Sequence, residues 1–165
     1  MFAIGDMIVY GSDGVYTVCE YTKSPIDKGD LRIFYILKPL MGADGNRVIT
    51  PSEGGATAMR PVMGREEAQA LIEKIPEIGI IKVENERTRR DVYRSVMTAG
   101  GGENMVSMIK TVRERRKLFA QMKRRLSETD TDFESRAKHC LYSELSVALD
   151  IPYREVESHI IDKLA

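Results

Sequence analysis

The chain has 165 residues, with 25 basic and 25 acidic side chains; 42% of residues are hydrophobic and 30% charged. That length fits one domain, or two small ones, at roughly 100–200 residues each. No apolar run approaches the roughly 18–20 residues that a bilayer span needs. The N-terminus reaches an acid at Asp6 with no basic stretch before it, which predicts no signal peptide and a soluble, cytoplasmic protein. Cys19 and Cys140 lie far apart and are expected as thiols. Two cysteines and two histidines leave little material for a metal site, so no metal and no cofactor is expected.

The first part reads as strands and turns. Asp6 to Tyr10 is rich in apolar and β-favouring residues, and Gly11-Ser12-Asp13-Gly14 follows as a turn. Val15 to Tyr21 predicts a second strand, with Val15, Thr17, Cys19 and Tyr21 on one face. Ser24-Pro25 and Asp27 to Asp30 break it. Leu31 to Leu40 predicts a third strand, ended by Pro39, Gly42 and Asp44-Gly45. Arg47 to Thr50 is a short fourth, stopped by Pro51, and a fifth is expected at Ala58 to Val62. Short strands and turns at about ten-residue spacing suggest a small closed barrel, which would hide its edges.

The periodicity changes near residue 62, which divides the chain into an expected strand domain, 1–62, and an expected helical domain, 63–165. The fold class predicted is therefore α+β. Arg65 to Ile75 predicts a helix with acids in its first turn and Pro76 after it. Glu84 to Ala99 predicts a second, carrying Arg87, Arg89, Arg90 and Arg94. After Gly100-Gly101-Gly102, a third runs from about Glu103 to Leu126, with Met105, Met108, Ile109, Val112, Phe119, Met122 and Leu126 along one stripe. Ala137, Leu141, Leu145 and Ala148 mark a fourth helix. Asp150-Ile151-Pro152 restarts the chain, and Val156, Ile160 and Leu164 mark a fifth.

Few residues suggest chemistry. The glycine triplet follows a helix and lacks the Gly-Lys-Ser/Thr ending of a phosphate loop, so it reads as a helix stop with a joint. Ser52 to Gly55 lacks nucleophile-elbow spacing, and no carboxylates sit in the apolar frame of a tuned acid–base pair. His139 and His159 read as ordinary helix residues. No enzyme and no small-molecule substrate is predicted. The sharper signal is charge. The neutral total conceals a block, residues 82–125, with 13 basic and 5 acidic side chains, net +8; residues 126–165 hold 4 and 9, net −5. At about 100° per residue, Lys110, Arg113, Lys117 and Arg124 lie away from the Met/Phe stripe, and Arg116 lies nearer its edge. Such a surface attracts phosphates. On charge alone, nucleic acid and a merely solvated helix face both fit, as does a helical adaptor whose basic face meets an acidic protein partner.

The opening Phe2-x-Ile4-Gly5-Asp6-x-Ile8-Val9-Tyr10-Gly11-x-x-Gly14-Val15 resembles the start of the CarD/CdnL family of bacterial transcription regulators. Phe34-Tyr35-Ile36-Leu37, Val48-Ile49-Thr50-Pro51 and Met59-Arg60-Pro61-Val62 extend the resemblance. Glu86-Arg87-x-x-Arg90, the Arg/Lys helix, Leu141-Tyr142-Ser143-Glu144-Leu145 and Leu149-Asp150-Ile151-Pro152 continue it to the C-terminal half, in the same order. The resemblance implies an SH3-like or Tudor-like N-terminal barrel that binds the RNA polymerase β subunit, and a helical domain that contacts promoter DNA and stabilises the open complex without catalysis, at the nucleoid. It implies polymerase contacts around Lys23, Arg47, Val48, Ile49 and Thr50. The expected DNA contacts are Arg87, Arg89, Arg90, Arg94, Arg113, Arg116, Lys117 and Arg124. Many members place a tryptophan wedge in the helical domain; this chain has no Trp, and Arg87 lies near that position.

Overall fold

The computed structural model describes residues 1–42 and 45–165, so Asp44, expected in the turn after the third strand, lies outside the described residues. The chain divides into two compact units, Met1–Val62 and Met63–Ala165. The first is built of strands and the second of helices, an α+β protein. No helix among the described residues is long and apolar enough to cross a membrane.

The first unit is a five-stranded antiparallel sheet: β1 Met7–Tyr10, β2 Val15–Lys23, β3 Ile33–Pro39, β4 Val48–Pro51 and β5 Met59–Pro61, in the order β4-β3-β2-β1-β5. Ile8, Val18, Tyr35 and Leu37 are fully buried at its centre, with Phe2, Tyr10, Tyr16, Val48 and Met59 packed around them. The buried Tyr35 hydroxyl is satisfied by accepting the Phe2 N–H at 2.7 Å, and Tyr21 donates to the Phe2 carbonyl at 2.7 Å. Those two bonds tie the N-terminal segment to the sheet.

Two expectations are corrected here. The sheet is open: among the described residues β4 and β5 are its two edges and do not pair. Both are short, and each ends in a proline, which has no N–H to extend a ladder. The expected face of β2 is also broken. Its register against β3 shifts between Val18 and Glu20, so Cys19 is an extra, bulged residue. Before the bulge, Tyr16 and Val18 face the core; beyond it Tyr21 is exposed, its ring lying 5.7 Å from that of the buried Tyr35. Period two holds only on each side of such an insertion.

The second unit has α1 Arg65–Lys74, α2 Arg89–Ala99, α3 Gly102–Gln121, α4 Glu128–Leu149 and α5 Tyr153–Leu164. A 3₁₀ turn, Glu86–Thr88, precedes α2, so that helix starts later than the expected Glu84. Helix α4 is central, packing on α1, α2, α3 and α5. Its Ala137, Leu141 and Leu145 are buried with Val156, Ile160 and Leu164 of α5, the stripes expected from their spacing. In the glycine triplet, Gly100 holds a φ of +69° that stops α2. Gly102 opens α3 against α1, where a Cβ would lie 2.5 Å from a Leu71 methyl.

Helix α3 ends five residues before the expected Leu126. Its stripe is buried from Met105 to Val112, whereas Met122 is exposed and Phe119 and Leu126 are half-buried. Lys123 turns left-handed, with φ +53°, and the Lys123 and Arg124 N–H groups donate to the Ala120 and Phe119 carbonyls at 3.1 and 2.8 Å. These are the two bonds of a Schellman ending. Arg124 is therefore not on a helix face.

Candidate nucleic-acid interface

The basic residues are arranged by a ring of polar contacts inside the helical unit. Ser127 caps α4, accepting the Asp130 N–H at 3.2 Å and donating its hydroxyl to Asp130 Oδ2 at 3.0 Å. That cap fixes Asp130, which is fully buried. Asp130 accepts the Tyr93 hydroxyl at 2.7 Å, and Arg115 Nε and Nη2 at 3.0 and 3.1 Å. The Tyr93 oxygen accepts Arg89 Nη1 at 2.9 Å, and Arg89 holds Glu86 by two bonds of 2.8 and 2.6 Å. Arg115 closes the ring with an ion pair to Glu86 at 3.6 Å. The 3₁₀ turn, α2, α3 and α4 are thereby joined through five side chains.

The ionisation of the ring follows from its partners. Burial works against the Asp130 carboxylate, but the bonds from Arg115, Tyr93 and Ser127 outweigh it and hold its pKa below the ordinary 3.8. Burial, and then the bond to Asp130, push the Tyr93 hydroxyl up to about 12. The acid is ionised and the phenol neutral at neutral pH, so the ring has one stable charge state.

Around it lie three adjoining grooves at the start of α4. The first, about 440 Å³, is lined by Arg87, Arg89, Arg90, Arg115, Phe119 and Arg124, with the Ser127 and Thr129 hydroxyls. The second, about 540 Å³, takes Arg90, Arg94 and Arg136 with Thr129 and Phe133, and the acids Glu128 and Asp132 also line it. Arg90 Nη2 donates to Thr129 Oγ1 at 3.0 Å in the wall the two share. The third, about 350 Å³, takes Arg116, Arg124 and Arg125 beside Phe119.

The structure thus gathers Arg87, Arg89, Arg90, Arg94, Arg116 and Arg124. Arg87, Arg90, Arg94 and Arg124 are exposed. Arg89 is largely enclosed and engaged with Glu86 and Tyr93. Arg116 makes a two-bond pair with Glu134 at 2.9 and 2.7 Å. Arg113 and Lys117 line none of these grooves. Arg113 acts electrostatically on Tyr142 and Glu157, and Lys117 pairs with Glu114 at 3.6 Å. Lys110 turns inward and donates to the Ile75 and Ile78 carbonyls at 2.9 and 2.5 Å. Arg136 and Arg125 join the grooves without having been singled out by sequence. Arg136 sits in the acidic C-terminal stretch, whose net charge hid it. The organising acid, Asp130, left one sequence signal, the spacing Ser127-x-x-Asp130 of a helix cap.

In the strand unit, Lys23 is exposed at the end of β2, and Arg47 and Ile49 are exposed at the β4 edge. Val48 packs against the core and Thr50 is only 4% exposed, so neither offers its side chain at the surface as Arg47 and Ile49 do. Comparison of the chain with protein-family models and with curated proteins finds no match.

Proposed function

We propose that this chain is a non-catalytic transcription regulator of the CarD/CdnL kind, binding the RNA polymerase β subunit through its strand unit and promoter DNA through its helical unit. The observation that carries the reading is the set of exposed arginines, Arg87, Arg90, Arg94 and Arg124, gathered with Arg125 and Arg136 about the start of α4. Fixed cations lining grooves with hydroxyl groups suit the oxygens of a phosphate backbone. On the strand unit, the unpaired edge of β4 with Arg47 and Ile49 outward suits a strand-edge contact with polymerase; Lys23 lies on β2, across β3 and toward the Pro51 end of β4, where it would add a separate charge. We read the sheet as an SH3-like or Tudor-like module; its support is the four-strand meander, β1 to β4, with a fifth strand returning to pair with the first. Holding polymerase and DNA together would favour the open complex, because only differential affinity moves an equilibrium. The protein would then work in the cytoplasm, at the nucleoid.

The test is the salt dependence of duplex binding. Arg87→Ala, Arg90→Ala and Arg124→Ala together should lower the slope of log affinity against log salt by roughly two to three units. Copurification with polymerase should persist, and open-complex lifetime should shorten. Arg113→Ala with Lys117→Ala should change the slope less. An unchanged slope in the triple variant removes the DNA role and leaves an adaptor for an acidic protein.

A further inference from the structure

We infer that the groove beneath Arg124 binds an unpaired DNA base stacked on the Phe119 ring, so that the helical unit prefers single-stranded to closed duplex DNA. This rests on the DNA reading above and specifies the form of DNA taken.

Phe119 lies near the end of α3, beyond the buried part of its stripe, so the ring is not needed to close the helical core. Tyr93, Phe133 and Tyr142 of the same unit are buried; Phe119 is half-buried and lines two of the arginine grooves. Two guanidiniums rest on it, Arg115 at 4.9 Å and Arg124 at 5.1 Å from the ring centroid. They differ in freedom. Arg115 is held by Asp130, while the exposed Arg124 guanidinium has no hydrogen-bond or ion-pair partner among the described residues.

A cation lying on a ring in this way marks a π surface turned toward an open groove. A nucleobase is a flat π ligand of the kind that stacks on such platforms regardless of sequence. It can take the place of Arg124, whose charge then turns to the adjoining phosphate. Arg87 and Arg90 lie in the same groove for neighbouring phosphates. Ser127, Thr129 and Glu86 also line it, engaged with Asp130, Arg90 and Arg89 respectively, so stacking on the ring rather than hydrogen bonding to the base edge carries the recognition. A volume of about 440 Å³ lies within the roughly 300–1,000 Å³ of small-ligand pockets. A closed duplex offers no such base, because its rings are already stacked and extruding one costs free energy.

The chain has no tryptophan, so Phe119→Trp introduces a single indole at the platform, excited at wavelengths where the tyrosines do not absorb. In the full chain at low salt, saturating single-stranded oligothymidylate should quench its emission, and a duplex of equal length at equal occupancy should quench it far less. Phe119→Leu keeps an apolar side chain without the ring. It should lower the ratio of single-strand to duplex affinity at least about fivefold. An unchanged ratio, or Trp emission unaltered at saturation, overturns the proposal. So does loss of both affinities by one factor together with a lower melting temperature, which would make the ring a packing group. Duplex binding with a steep salt slope but no quenching removes this inference and leaves the DNA reading standing. If neither form binds, both fall.

Discussion

The buried Asp130 decides how much of the basic character of α2 and α3 remains available at the surface. Arg115 is held by it directly, and Arg89 through Tyr93, so two of the arginines become scaffold for the others. Asp130→Asn would leave Arg115 without its buried counter-charge. Breaking such a pair by removing one partner should cost about 3 kcal/mol, read as a lower urea midpoint at an unchanged slope. The same carboxylate sets an acid limit. Its pKa is lower in the folded chain than in the unfolded one, so its contribution is complete above the unfolded value of about 3.9 and is lost as pH falls through the folded value below it. Stability of the wild type should drop below about pH 4–5 more steeply than that of Asp130→Asn; parallel curves would mean that the carboxylate titrates alike in both states.

Among the elements, the end of α3 matters most for the site, because it releases Arg124 from the helix and turns it back over Phe119. The ending was not legible in sequence. Helices that stop on a left-handed residue usually place glycine there, and here a lysine takes φ +53°. Lys123→Gly relieves that strain at some cost in unfolded-chain entropy, and should raise stability by about 0.5–1 kcal/mol. The urea midpoint should rise with DNA binding reduced by no more than one charge contact. A lowered midpoint would mean that the Lys123 charge at the helix end outweighs the strain. In β2 the bulge at Cys19 acts similarly: one inserted residue changes which side chains reach the core, and no local composition announces it.

For the whole molecule, a net charge of zero is compatible with a local polyanion site because the charges are segregated: 13 basic side chains fall in residues 82–125. Each unit has its own buried core, so each should fold alone. A fragment of residues 1–62 should show a cooperative β transition by circular dichroism, at modest stability for so small a core. It should also bind polymerase in the absence of DNA. A fragment of residues 63–165 should be helical and bind DNA with the salt slope of the full chain. Failure of the first fragment to fold would show that its open sheet depends on the rest of the chain. Polymerase bound only by the second would reverse the proposed roles.

The order of strands before helices, the four-residue repeats of α4 and α5, and the buried Met105 to Val112 stripe were set by sequence alone, because each depends on side-chain spacing along one element. Tertiary structure decided whether the sheet closes, since that depends on whether two edge strands distant in sequence can meet. It also decided the fate of each arginine. Seen along one helix, Arg113 and Lys117 lie away from the Met/Phe stripe and Arg116 nearer its edge, but the spacing does not show which of them an acid of another helix takes. Packing α3 against α4 sets Arg115 opposite Asp130 and Arg116 opposite Glu134, 15 and 18 residues away along the chain, and turns Arg113 and Lys117 away from the grooves. A charge is available to a partner only if no acid across a helix interface has already paired with it, and that acid is found by folding, not by spacing.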